Sequence, residues 1–273
     1  MQGLSAFIPT QKKVHYINQL LKVGFDTIDF GSFVSPKAIP QMQDTAAVLD
    51  KLDTEESNSS LLAIVANTRG AEEASEFEKI SYLGYPLSIS ETFQKRNTNK
   101  SIADALNSLV EIKNVCAKKN KKLVTYISMG FGNPYNDPYD PGMVSGFIDV
   151  LLTLGTDVIS IADTIGAASP QDITSLMKPL FLQYKGLELG VHLHSSPVHS
   201  EAKIRAAVSA GCARIDGALK GFGGCPMAND ELVGNIATEH IISILKEEGV
   251  PTGIDEAELS LALKAASEIF PKH

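Results

Sequence analysis

Short apolar segments alternate with longer amphipathic segments along the chain, and this alternation limits the fold more than any other feature. The apolar segments are rich in β-branched residues, as buried strands are. We predict seven strands, over residues 25–30, 61–66, 85–89, 123–128, 158–162, 187–194 and 213–218. Amphipathic spacing predicts helices over residues 11–23, 41–51, 101–119, 142–154, 170–184, 198–210, 238–248 and 255–269. Strand and helix in strict alternation predict an α/β fold around a parallel sheet.

The number of strands bears on whether this sheet is open or closed. Seven predicted strands are one fewer than a closed (β/α)₈ barrel requires. The chain begins with a loop over residues 1–10, so a closed barrel would need a further strand before Met1, whereas an open doubly wound sheet would not. No linker or change of composition divides the 273 residues, and the polar stretch 53–60 is too short to separate domains. We therefore expect a single domain over residues 1–273.

Composition excludes several classes of protein. Hydrophobic residues make up 44% and charged residues 21%, which is ordinary for a globular protein and excludes disordered and fibrous chains. A formal net charge of −8 argues against a dedicated nucleic-acid-binding protein. No segment approaches the ~18 consecutive apolar residues of a membrane helix, and the N-terminus does not resemble a secretory signal. The three cysteines are too few for a disulfide framework, so we expect a reducing compartment, the cytoplasm.

Two histidines at the end of a predicted strand form the sharpest local motif. His192 and His194 are two residues apart, so on a strand both side chains point to the same face. The carboxyl ends of parallel strands form the ligand-binding face of such folds. Two neutral imidazoles at this face suit a divalent metal ion. Two hydrogen-bonded histidines without a ligand would give the same motif.

Further polar groups follow other predicted strands. The glycine-rich stretch 220–226 carries Cys225 directly after the last strand, where a thiol suits proton transfer, unless this stretch is an ordinary turn. Asn235 could complete a metal shell or occupy a turn. Asp29 and Asp163 lie near strand ends as candidate bases or ligands, and Asp163 could instead cap the next helix. These groups on one face indicate a metal-assisted enzyme of proton transfer or carbon–carbon chemistry.

The basic stretch 91–100 is a weaker candidate. Lys95, Arg96 and Lys100 could hold a phosphate-bearing cofactor, but the composition favours a solvated charged loop. The other histidines, His15, His199, His240 and His273, fit surface or helix positions.

Four stretches of the chain closely resemble the hydroxymethylglutaryl-CoA lyase family of metal-dependent TIM-barrel enzymes. They are FVSPK at 33–37, SIADTIG at 160–166, VHLH at 191–194 and GFGGCP at 221–226. SFVSPK combined with GxGGCP is specific to the lyases, whereas HxH also occurs in related aldolases and acyl-CoA condensing enzymes. The resemblance covers nearly the whole chain. It implies an α/β fold of the TIM (β/α)₈ type that lacks the first strand and carries C-terminal helices.

The resemblance also implies a reaction, in which (S)-3-hydroxy-3-methylglutaryl-CoA is cleaved to acetyl-CoA and acetoacetate, as in leucine degradation. It implies an acyl-CoA substrate and a divalent Mg²⁺ or Mn²⁺ ion. The last helices, from Thr238 onward, either cover the barrel or form the contact of a homodimer, and composition argues against nucleic acid or membrane as a partner. The site residues that it implies are the metal ligands His192, His194 and Asn235, the catalytic residues Cys225, Asp163 and Asp29, and the substrate-binding residues Gln2, Ser32 and Ser160.

The chain departs from the family pattern in three places. The family's first strand ends in an Arg-Asp pair, which supplies a catalytic cation and a metal ligand, and Met1-Gln2 would align just after it. We therefore predict a true start upstream of Met1, and poor activity and stability for the chain as given. The family usually has glutamate at the position of Asp29 and aspartate at that of Ser195, and a missing outer carboxylate affects metal affinity. The alternatives are a related metal-dependent aldolase or condensing enzyme, and a non-catalytic barrel that binds a CoA ester.

Overall fold

A single parallel sheet organises the protein. The computed structural model describes residues 1–4, 6–224 and 233–270. Within these residues the strands lie side by side in chain order, and each pairs in parallel with the next. The strands are β1 (Thr27–Ser32), β2 (Ser60–Ile64), β3 (Ile80–Ser88), β4 (Lys122–Ser128), β5 (Val158–Asp163), β6 (Glu188–Leu193) and β7 (Ile215–Asp216). No pairing joins β1 to β7 in this part of the chain. The arrangement confirms the prediction of a TIM-type barrel with one strand missing.

Helices connect and flank the strands. They are α1 (Thr10–Leu21), α2 (Thr45–Asp50), α3 (Thr68–Ser75), α4 (Glu91–Thr98), α5 (Ile102–Lys118), α6 (Pro141–Thr153), α7 (Pro170–Gln183), α8 (Pro197–Ala210), α9 (Thr238–Glu247) and α10 (Glu256–Ile269). Every helix that the sequence predicts is present, and the one expected over 41–51 is divided into a 3₁₀ turn (Pro40–Met42) and α2. In the described ranges, no helix has the length and apolar character needed to cross a membrane.

Two short helices, α3 and α4, are not predicted from the sequence. Their apolar residues are too few or too small to give a clear helical period, since α3 buries only small residues such as Ala71 and Ala74. Position 70 in α3 requires glycine, because a Cβ atom there would come 2.4 Å from the carbonyl oxygen of Phe33. The stretch 91–100, for which a charged loop is one interpretation, is mostly helical because Ser90 caps α4 by accepting a hydrogen bond from the Phe93 amide.

The apolar side chains of the strands form two separate layers. Alternate residues such as Leu61, Ala63 and Leu83 join the large core between sheet and helices. A second, smaller cluster joins Leu62, Tyr82, Val124 and Val158, against which Ile64 and Tyr126 pack. Because side chains alternate across a strand, this second cluster lies on the inner face of the curved sheet, which we call the lumen. The amino-terminal half of the lumen is therefore filled with apolar side chains, which leaves its carboxyl end for polar groups.

A buried polar cluster attaches the N-terminal loop to the barrel. Lys13 on α1 is only 2% exposed, and its ammonium group donates to Asp44 Oδ1 at 2.5 Å and to the carbonyl oxygen of Gln41. The side chain of Gln41 in turn accepts from the amide of Ile8 and donates to the carbonyl of Leu4. The cluster thus holds the loop before α1 against the turn that precedes α2.

Candidate functional site

His192 and His194 lie at the carboxyl end of β6, and their imidazoles face each other. The two Nε2 atoms are 3.3 Å apart. His194 is 4% exposed, and its Nδ1 atom lies 2.9 Å from the carbonyl oxygen of Thr164. A carbonyl oxygen can only accept, so Nδ1 of the neutral ring carries the proton and Nε2 presents a lone pair. Burial, followed by the neighbouring His192, lowers the pKa of His194 to about 4, so the ring is neutral near pH 7.

Asp216 on β7 lies beside the second imidazole. The Nδ1 atom of His192 is 3.6 Å from Asp216 Oδ2, just beyond hydrogen-bond distance, and the ring edge packs on Tyr126. Asp216 also accepts a hydrogen bond from Ser160 Oγ at 2.8 Å and pairs with Arg214 at 3.4 Å. Burial would raise the pKa of Asp216, but His192, Arg214 and Ser160 together hold it below its usual value. An ionised carboxylate at this position would favour a proton on Nδ1 of His192 once Nε2 binds a cation.

Asn235 adjoins this pair from the segment after the glycine-rich loop. It forms an isolated antiparallel bridge with His194, which places its side chain beside that imidazole. The Asn235 amide group also donates to the carbonyl of Phe222, and its backbone N–H to that of Gly223. The structure thus brings together the three residues for which the sequence predicts metal binding. Cys225 lies outside the described residues.

Asp29 and Ser32 both face the lumen from β1, although they are three residues apart. A β-bulge shifts the register between Asp29 and Gly31, so Asp29 pairs with Leu62 and Ser32 with Ile64. Enclosure by the barrel raises the pKa of Asp29 above its usual range, whereas the N-terminal ammonium group of Met1 and the imidazole of His192 act to lower it. The residue is nevertheless exposed to solvent in the lumen. Ser32 Oγ is buried without a hydrogen-bond partner in the described residues. Gln2 is exposed.

Asp163 ends β5 and has its carboxylate fully engaged inside the protein. It is 2% exposed, accepts from the Ala168 amide at 3.2 Å, and pairs with Lys203 at 2.8 Å. The alternative interpretation of Asp163 as the cap of the next helix is wrong, because Ser169 caps α7 through a capping box with Asp172 and Asp163 accepts from the Ala168 amide just before that cap. A catalytic role for it stays a prediction.

Four residues of the site were not singled out from the sequence: Tyr126, Lys203, Arg214 and Asp216. For Arg214 and Asp216 there is a signal, since they alternate within a short apolar stretch, as lumen-facing residues of a strand should. Arg214 fits because Gly190 on the neighbouring strand has no side chain, and a Cβ atom there would lie 2.9 Å from Arg214 Cγ.

A cationic, aromatic surface borders the same end of the barrel. The β3–α4 and β4–α6 connections contact each other where Phe93 stacks on Tyr135 and where Asp137 accepts from Ser90 and Thr92. The guanidinium of Arg96 lies 4.8 Å above the ring of Tyr135. Arg96 is exposed, and it forms no ion pair with the residues that the structure describes. By contrast, Lys95 pairs with Glu91, so Arg96 is the better placed of the two to meet an anionic ligand.

The imidazole pair fits a divalent cation. Two ligands of one ion, each at about 2.1 Å and at right angles, are about 3 Å apart, close to the separation of the two Nε2 atoms. The two Nε2 atoms lie within hydrogen-bond distance of each other, so one of them carries a proton when no cation is bound, and loss of that proton would leave both lone pairs for an ion beside the Asn235 side chain. Among the described residues no group of three or more His, Cys, Asp or Glu side chains is placed to hold a metal ion. Within the described residues, the two imidazoles and the amide are thus the groups that could hold an ion here.

Comparisons with known proteins agree with this geometry. The family model described as HMGL-like matches residues 1–265. The hydroxymethylglutaryl-CoA lyase of Bacillus subtilis is 32% identical over 272 residues, 100% of this chain and 90% of that protein. A Pseudomonas aeruginosa relative, named as a 3-hydroxy-3-isohexenylglutaryl-CoA/hydroxymethylglutaryl-CoA lyase, is 30% identical over 91% of this chain and 82% of its own. The HMG-CoA lyase of Acinetobacter baumannii, solved with coenzyme A and 3-methylmalate, superposes with a TM-score of 0.90 at 30% identity, covering 98% of this chain and 87% of that one.

Proposed function

We propose that this chain, which belongs to the HMGL-like family, is a carbon–carbon lyase that cleaves 3-hydroxy-3-methylglutaryl-CoA to acetyl-CoA and acetoacetate. The observation that carries the proposal is the meeting of His192, His194 and Asn235 at the carboxyl end of a TIM-type barrel. Relatives named for this reaction match almost the whole chain, which supports the substrate as well as the reaction class.

The metal ligands in this proposal are His192, His194 and Asn235, and the ion is Mg²⁺ or Mn²⁺. When bound, such an ion polarises the substrate oxygens and offsets their negative charge. The protein contributes a rigid pair of imidazoles, since His194 is buried and its tautomer is fixed by Thr164. A ring that is neutral near pH 7 needs no proton loss before it binds a cation.

The cleavage itself requires two proton transfers. One group must take the proton of the substrate hydroxyl, after which the carbon–carbon bond breaks and its electron pair passes to the acetyl-CoA fragment as an enolate. Asp29 suits the first transfer, because its carboxyl faces the lumen and its pKa is raised. Cys225 would return a proton to the enolate, a role that rests on the family resemblance. The unpartnered hydroxyl of Ser32 suits a hydrogen bond to substrate, whereas Ser160 acts through Asp216, and Gln2 stays a candidate contact.

The acyl-CoA carrier would bind along the rim formed by α4 and the β4–α6 connection. Coenzyme A bears several phosphate groups, and Arg96 presents an exposed guanidinium held over Tyr135 at this rim. Arginine recognises phosphate through paired hydrogen bonds that lysine cannot reproduce. We therefore assign Arg96 to the phosphates of the substrate.

Replacing Arg96 with alanine should raise KM about fivefold and leave kcat unchanged, because an exposed ionic contact contributes up to about 1 kcal/mol and lies far from the reacting atoms. Steady-state kinetics with 3-hydroxy-3-methylglutaryl-CoA measure both constants. Lys95→Ala is the matched control, since Lys95 pairs with Glu91 on the same helix. Equal KM values for the two variants would refute the assignment of Arg96.

Removing divalent ions should lower the lyase rate at least about a hundredfold, since metal stabilisation of developing charge contributes several kcal/mol. The rate of acetoacetate formation is measured in protein dialysed against a chelator, then after addition of Mg²⁺ or Mn²⁺, which should restore it. A rate that is indifferent to chelation would contradict the proposal.

The same assay separates the alternatives. Offering 3-hydroxy-3-isohexenylglutaryl-CoA and 4-hydroxy-2-oxoacids beside the proposed substrate distinguishes a lyase of this family from a related aldolase. Binding of a CoA ester without turnover of any substrate would favour a non-catalytic barrel. A cytoplasmic location, a role in leucine degradation, a homodimer and a single domain over residues 1–273 remain predictions.

A further inference from the structure

Lys203 on α8 places a buried ammonium group directly behind the imidazole pair. The side chain is 5% exposed, and the residue lies outside every role assigned above. Its Nζ atom donates to Asp163 Oδ2 at 2.8 Å, to the carbonyl of Gly166 at 2.8 Å and to the carbonyl of His194 at 2.9 Å. An ammonium group has three donors, and all three are used here. The cost of burying the charge is thus offset by an ion pair and two further hydrogen bonds.

The three acceptors belong to two segments that must be aligned for the site to form. Asp163 and Gly166 lie in the connection between β5 and α7, whereas the carbonyl of His194 belongs to the end of β6. Thr164 lies between Asp163 and Gly166, the two residues of this connection that Lys203 contacts, and its carbonyl oxygen accepts from Nδ1 of His194. The Thr164 hydroxyl is also held, because it accepts from the Met129 amide at 2.8 Å.

We propose that Lys203 is a positioning residue that fixes the tautomer of His194. The contacts form a closed circuit, which runs from the ammonium group to the backbone of His194, through its ring to Thr164, and back through the β5–α7 connection. In a neutral imidazole, the partner of one nitrogen decides which lone pair the other presents. By holding Thr164 against Nδ1, Lys203 keeps the lone pair of Nε2 directed at His192.

The benefit to cation binding rests on the proposed function, but the tautomer itself does not. Without the ammonium group, Asp163 is left as an unpaired buried carboxylate, and the carbonyls of Gly166 and His194 lose their donor. The connection then rearranges, and Thr164 no longer constrains the ring. The proton of His194 is expected to distribute between both nitrogens.

The test compares Lys203→Met with Arg205→Met in protein free of metal. Arg205 is the matched control, because it is a cation on the same helix whose partners are surface glutamates, Glu201, Glu247 and Glu248. Nitrogen NMR of ¹⁵N-histidine-labelled protein reports which ring atom of His194 is protonated, at a temperature where melting curves show both variants folded. The wild type and Arg205→Met should show a protonated Nδ1 and a bare Nε2, whereas Lys203→Met should show signal averaging between the two tautomers.

A second variant keeps the test decisive if the unpaired carboxylate prevents folding. Asp163→Asn combined with Lys203→Met removes both charges, and the asparagine oxygen can still accept from Ala168. It should show the same mixture of tautomers and an apparent Kd for Mn²⁺ raised at least about tenfold, the usual scale for groups behind a metal ligand. A single Nδ1–H tautomer in this variant, as in Arg205→Met, would overturn the proposal. Failure of the wild type to bind Mn²⁺ would instead contradict the proposed function, and the NMR comparison would still decide the role of Lys203.

Discussion

Replacing His194 with alanine is expected to lower kcat/KM for 3-hydroxy-3-methylglutaryl-CoA by about a thousandfold. His194 supplies one of the two Nε2 atoms that meet at the site, and its ring lies beside the Asn235 side chain. Its loss leaves His192 alone, and a stabilisation of about 4 kcal/mol, typical of a metal at developing charge, corresponds to three powers of ten in rate. The measurements are the rate of acetyl-CoA release and the metal content of the purified protein, which should fall together.

His199→Ala provides the control for this experiment. It removes an imidazole only five residues further along, from an exposed position at the start of α8. Its activity and metal content should match the wild type. If His194→Ala retained both its metal and its rate, the assignment of the site to the imidazole pair would be wrong.

Replacing Lys13 with methionine is expected to lower the free energy of unfolding by about 3 kcal/mol, because it leaves the partly buried carboxylate of Asp44 without its cation. In a chain of this size such a loss corresponds to a fall in Tm of roughly 6–12 °C. Lys12→Met is the natural comparison, since the neighbouring Lys12 is exposed and should tolerate the change within about 0.5 kcal/mol. Thermal or denaturant unfolding followed by circular dichroism measures both. Similar Tm values for the two variants would contradict the importance given to the buried cluster.

The alternation of strands and helices could be predicted from the sequence because both periods are written in the spacing of apolar residues. Strand ends were less predictable. β3 begins at Ile80, five residues before the predicted start, because pairing with β2 and β4 extends it through Ser81 and Gly84, which interrupt the apolar run. β7 is reduced to two residues, and Ala218 beyond it forms an isolated bridge with Ala237 instead of pairing with β6.

Only the part of the candidate site that follows from the alternation of side chains along a single strand could be predicted. His192 and His194 share a face because they are two residues apart, and the structure brings their rings together as this rule requires. The ion pair of Asp163 with Lys203 joins residues 40 positions apart, and nothing in either local pattern indicates it. The position of the Arg214 side chain depends on the lack of a side chain at Gly190 on β6. The register between β6 and β7, which brings the two residues together, is not revealed by a single sequence.

The irregularity of β1 has a consequence for how enzymes of this shape are compared. The bulge at Phe30 shifts the alternation of side chains along β1 by one residue. The carboxyl group of Asp29 and the hydroxyl group of Ser32 therefore enter the same cavity in neighbouring layers, although one residue number is odd and the other even. A related sequence with one residue more or fewer at this bulge would still direct the corresponding side chains into the cavity, but from positions displaced by one residue. An alignment without a gap in this strand would then pair side chains that do not correspond. Corresponding residues are better identified by their depth in the cavity.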